Sequence, residues 1–86
     1  MPNNAVFELI EEIDFTTFPG ILYQHKEDAW KNLGYIIDKF IEVHTDVNIT
    51  GFEIDQKQST VCIKYDDKRT SATHYRYYAI RTRIVH

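Results

Sequence analysis

The chain has 86 residues, a formal net charge of −3, 43% hydrophobic and 14% aromatic residues, and a single cysteine, Cys62. That is room for one domain, residues 1–86, with one small core burying about 60–65% of the surface the unfolded chain exposes. It excludes a disulfide scaffold, a disordered composition and, with no apolar run near the ~20 residues required, a spanning helix.

The opening MPNNAVFELIEE has no basic start and no apolar run, so a signal peptide is not expected. Residues 4–14 are read as a helix. Val6, Leu9, Ile10 and Ile13 recur at helical spacing, with Glu8, Glu11 and Glu12 on the other side. Asn3 or Asn4 can cap its start. In FTTFPGILYQ, Phe15–Gln24, Pro19-Gly20 is a turn signal, and the apolar remainder predicts a connector lying across the core.

The clearest element covers residues 25–45. Ala29, Trp30, Leu33, Ile36, Ile37, Phe40 and Ile41 form one apolar helical stripe. Glu27 and Asp28 fall in the first turn and His44 in the last, where the helix dipole favours each sign. Gly34 weakens this helix by about 1 kcal/mol relative to alanine and is expected to admit a close neighbour.

After Asp46 the period becomes two. Val47–Ile54 is a strand in which a bulge at Gly51 brings Val47, Ile49, Phe52 and Ile54 to one face. Thr60–Tyr65 is a strand with Val61, Ile63 and Tyr65 inward. The third strand runs from about Thr73 to Val85. The resulting order is α-α-β-β-β: an α+β, two-layer domain with two N-terminal helices packed on one face of a three-stranded antiparallel β-meander. The other sheet face is then open to water.

That open face carries the functional expectation. The chain ends HYRYYAIRTRIVH. With Tyr78, Ile80 and Ile84 turned to the helices, Tyr75, Tyr77, Arg81 and Arg83 face outward, joined by Thr60 and Lys64 from the neighbouring strand. Rings mixed with cations stack unpaired bases and neutralise phosphates, and the same residue types are enriched at protein–protein hot spots. A bulge near Ala79 would instead bury Tyr75 and Tyr77 and dissolve the patch. The strand is also long, and its unpaired end is an edge that a second copy can join.

Charge is divided along the chain: eleven acids stand against three lysines up to Asp55, and seven bases against two acids from Gln56 onward. Such a split attracts the two halves to each other or steers a charged partner. His25, His44, His74, His86 and Cys62 lack the close spacing of a metal site. Cys62 lies mid-strand, where a cysteine usually packs, and the three isolated glycines form no phosphate loop. Neither enzyme activity, metal nor cofactor is expected.

The expected function is that of a small protein-binding module in the cytoplasm of its own or a host cell, inhibiting or regulating a partner by docking, with homodimerisation through the C-terminal strand. Small accessory proteins of phages and mobile elements have compositions of this kind. The alternative is a nucleic-acid binder using the same Tyr/Arg face.

Overall fold

In the computed structural model, which describes residues 5–84, the chain folds as β1 (Ala5–Ile13), β2 (Thr16–Tyr23), α1 (Lys26–Val43), β3 (Val47–Asp55), β4 (Thr60–Asp67) and β5 (Thr73–Ile84). The five strands form one antiparallel sheet in the order β2-β1-β5-β4-β3, with a single helix. The protein is therefore mostly β and does not have two helices on a three-stranded meander. Asn3, Asn4, Val85 and His86, named above as caps or strand end, lie outside the described residues.

The correction falls on the first 24 residues. Val6, Leu9, Ile10 and Ile13 satisfy helical spacing, but Phe7, Leu9 and Ile13 also share one strand parity while Val6 and Ile10 share the other. A strand paired on both sides and apolar on both faces loses its alternation and can be mistaken for a helix. Here β1 lies between β2 and β5, registering Leu9 with Ile21 on one side and with Ile80 on the other. Phe15–Gln24 does not cross the core. Most of it is the edge strand β2, whose Phe18, Ile21 and Leu22 remain exposed.

The turn signal Pro19-Gly20 falls inside β2, opposite a register shift between Leu9 and Glu11. An edge strand tolerates proline because one side needs no donor. Gly20 is needed for close approach, since a Cβ there would collide with the Glu8 side chain. The true turn is Asp14-Phe15. Ile13 pairs with Thr16, and the two residues between them have φ of 49° and 69°, the left-handed conformation of a two-residue hairpin.

β2 and β3 occupy opposite edges and run parallel, so the chain between them must cross one whole sheet face. An 18-residue helix makes most of this crossing, at about 1.5 Å per residue, and the short link to Val47 completes it. It buries Ala29, Leu33, Ile37 and Phe40 against Leu9, Val61, Ile63, Tyr65, Tyr78 and Ile80. Its last turn contains no basic side chain; His44 is the C-cap, donating from Nδ1 and from its backbone N–H to Phe40 O. Gly34 faces open space with no neighbour near it, so the expected close approach does not occur there.

In β3 the register shifts between Ile49 and Gly51. Val47, Ile49, Phe52 and Ile54 thus share a face, opposite Asp67, Tyr65, Ile63 and Val61. The helix does not extend over that edge, and Ile49, Phe52 and Ile54 stay exposed. β5 runs through Ala79 without a bulge, in register with both β1 and β4. It is a central strand. Its last residues, Arg81–Ile84, pair with β1 but extend beyond Thr60, where β4 begins. Tyr78 and Ile80 join the core as their parity requires; Ile84 does not, being 72% exposed, because it lies past the helix-covered part of the sheet. No helix among the described residues is long and apolar enough to cross a membrane.

Candidate functional site

The sheet face away from α1 carries alternate residues of every strand. Along β5 these are Tyr75, Tyr77, Ala79, Arg81 and Arg83. Tyr75 pairs with Lys64, Tyr77 with Cys62 and Glu12, Arg81 with Glu8, and Arg83 with Val6. All five residues singled out in the sequence, Tyr75, Tyr77, Arg81, Arg83 and Lys64, therefore share the open face. They do not form one patch. Tyr75 and Arg83 are eight residues apart, roughly 26 Å along a strand, and Ala79 between them is buried. The arginine end is also not free cationic surface. Arg83 Nη1 lies 3.1 Å from Glu8 Oε1, and acids of β1 and β3, namely Glu8, Glu12, Glu53 and Asp55, are interleaved with the bases.

The aromatic end is built from parts distant in sequence. The β1–β2 turn presents Phe15, a residue 83% exposed. Its ring centroid is 5.7 Å from that of Tyr75, at an interplanar angle of 42°. Glu12, Phe15, Cys62, Tyr75 and Tyr77 surround a small hollow of about 190 Å³. Lys64 Nζ stands 5.9 Å from the Tyr75 centroid. A broader depression of about 930 Å³ continues past Cys62 and Tyr77 toward Glu53, Asp55 and Lys57 at the β3–β4 hairpin.

Asp14 holds the turn in place. Its backbone N–H donates to Tyr75 O at 2.9 Å. Its Oδ1 accepts the Tyr75 backbone N–H at 2.9 Å, and its Oδ2 lies 2.8 Å from His74 Nδ1. The Tyr75 amide, foremost, and then His74 hold the Asp14 carboxyl below its ordinary range, since both bonds favour the charged form. His74 stacks on Tyr65 with centroids 5.4 Å apart, and Tyr65 meets Phe40 of the helix at 5.0 Å. A continuous line of contacts thus ties the exposed turn to the core.

Beneath the sheet, Arg76 points to the helix side. Its guanidinium carbon is 4.4 Å from the Phe40 ring centroid, and Nη1 is 3.8 Å from Glu11 Oε2. Burial, foremost, lifts the phenol of neighbouring Tyr78 above its ordinary value. These groups belong to the packing between layers and are remote from the open face. Among the described residues, no cluster of three or more His, Cys, Asp or Glu could hold a metal ion.

Glu12 and Phe15 are the site residues that sequence reading missed. Their signal was a two-residue gap, Asp14-Phe15, between Ile13 and the strand-favouring Thr16-Thr17-Phe18. Comparison with known proteins finds no matching family model, curated protein or solved structure.

Proposed function

We propose that this chain is a non-enzymatic protein-binding module that docks through the open sheet face, with Phe15, Tyr75 and Tyr77 at the centre of contact. The observation that carries this reading is Phe15 itself. A non-glycine residue at φ 69° costs on the order of 1–3 kcal/mol, and strain of this kind gathers at functional positions. Here it leaves a phenyl ring in water beside Tyr75, clamped by Asp14. An exposed ring on a tight turn, beside Tyr75 and the half-buried Tyr77 of a central strand, is the kind of group interfaces use as an anchor. Such a module acts by occupying a surface, hence as an inhibitor or regulator of its partner.

The nucleic-acid alternative has less support. Its cations would have to be free to meet phosphates, and Arg83 is engaged by Glu8 while further acids line the same face. Self-association through Arg81–Ile84, the last third of β5, which has no β4 neighbour, is a further mode of the same module.

The test compares the wild-type chain with the Phe15→Gly/Tyr75→Ala double variant in affinity capture from the native cell or its host. A partner held by the wild type and lost by the variant, with the melting temperature little changed, supports the reading. Retention by both proteins excludes this face. Single-stranded DNA or RNA bound at low salt and released steeply as salt rises would put the nucleic-acid reading in its place. Light scattering at high micromolar concentration reports the dimer; a clean monomer removes the self-pairing mode.

A further inference from the structure

We infer that the hollow between Phe15, Tyr75 and Tyr77 receives a single cationic head group, the ammonium or guanidinium of a lysine or arginine presented by the partner; this rests on reading the open face as a protein-docking surface. Size is the first argument. At about 190 Å³ the hollow is below the roughly 300–1,000 Å³ of sites that enclose a whole small molecule, and suits one side-chain terminus. The second argument is the lining. Three rings and the Cys62 thiol surround it, and its single charged residue is Glu12. Aromatic faces carry negative electrostatic potential and attract cations within about 6 Å of the ring centroid. Glu12 adds a full negative charge. Thr17 Oγ1 donates to Glu12 Oε1 at 3.1 Å, which orients the carboxylate and leaves its charge in place.

Other occupants fit less well. An anion would face Glu12 across an apolar floor. A purely apolar side chain would strip water from Glu12 without supplying a partner, which is costly for a charge. Strand register already sets one ammonium beside these rings, Lys64 Nζ standing 5.9 Å from the Tyr75 centroid. The adjoining depression adds Glu53 and Asp55 against one cation, Lys57, so a basic segment lying across the face meets an excess of carboxylates beyond the pocket. Lys64 is the like charge nearest the rings. It competes with the incoming group and sets the sign of a control.

The experiment titrates the isotope-labelled full chain with choline and with its uncharged isostere 3,3-dimethylbutan-1-ol, following amide and aromatic NMR shifts. Choline is expected to bind about 3- to 30-fold more tightly than the isostere, with shifts centred on Phe15, Tyr75 and Tyr77. Glu12→Gln should reduce that preference, Lys64→Met should increase it, and Phe15→Gly should abolish binding. Equal or tighter binding of the isostere, or no shift of these residues with either probe, overturns the inference. If a partner is nevertheless captured through this face, the docking reading stands and only the cation pocket falls.

Discussion

Replacing Phe15 separately by glycine and by alanine tests the basis of the functional argument. Phe15 has φ 69°, where an L-residue costs roughly 1–2 kcal/mol and glycine costs nothing. Glycine carries its own penalty, since its unfolded chain has more freedom to lose, by about 0.5–1 kcal/mol. Both variants lack the ring, so its contact with Tyr75 cancels between them. Phe15→Gly should therefore be the more stable of the two by about 0.5–1 kcal/mol, reversing the order found in regular structure. For a chain of this size that separates the melting temperatures by roughly 2–8 °C. Against the wild type, Phe15→Ala should lose the aromatic pair, worth about 0.5–1.5 kcal/mol, while Phe15→Gly recovers much of that loss by relief of strain. Urea unfolding followed by circular dichroism measures all three. An alanine variant as stable as the glycine variant would mean that the turn does not hold Phe15 left-handed, and the claim that strain is retained there for binding would collapse.

Three further outcomes follow from the same structure. Gly34 lies on an exposed helix surface, and a Cβ added there would meet nothing within 4 Å, so Gly34→Ala should stabilise the protein by about 0.5–1 kcal/mol; destabilisation would show that something packs there. The Asp14 carboxyl titrates below its unfolded value of 3.8, so its contribution is fully present above that pH and is lost as pH falls through the lower, folded value. Asp14→Asn keeps the backbone acceptor but not the charge, and acid unfolding curves should show a flatter decline below pH 3.8; an unchanged decline refutes the clamp. The Tyr78 phenol has its folded value raised above 10.0, so its contribution is complete below that pH and is lost as pH rises through the folded value. Tyrosinate absorbance should show one phenol ionising late, and Tyr78→Phe should remove that late step.

The second half of the chain was readable because its pattern has a single interpretation. Val61, Ile63 and Tyr65 alternate cleanly, the bulge before Gly51 rescues an otherwise broken alternation in β3, and the stripe from Ala29 to Phe40 fits only a helix. The first half was not, for two physical reasons. β1 is paired along both edges and carries apolar residues on both faces, so these fill both parities and imitate helical spacing. Its hairpin turn uses Asp14-Phe15, without the glycine that normally marks φ > 0, while Pro19-Gly20, the conventional signal, lies within an edge strand. Missing β1 had a further effect on β5, which was placed at an edge when β1 pairs along it from Arg76 to Ile84. Parity still located Tyr75, Tyr77 and Lys64. It could not reveal that Glu12 and Phe15 join them from the far end of the chain, nor that Glu8 sits opposite Arg81 and engages Arg83.

These corrections alter which physical effect the open face can use. A three-stranded meander would have presented Arg81 and Arg83 to water with nothing opposite, and charge would have dominated. Inserting β1 brings Glu8 and Glu12 onto the same surface, and an exposed pair such as Arg83–Glu8 contributes only about 0–1 kcal/mol and is screened by salt. Glu8 thus offsets one of the two arginine charges at that end of the face. What remains distinctive is local: rings fixed on a central strand and a tight turn, with one carboxylate among them. Among the described residues, the one helix lies on the opposite face, leading from the β2 edge toward the β3 edge, and no element covers those rings. On the proposed docking reading, covering them and removing their apolar surface from water falls to the partner, and Glu12, rather than the arginines at the far end of the strand, is the group that would select its charge.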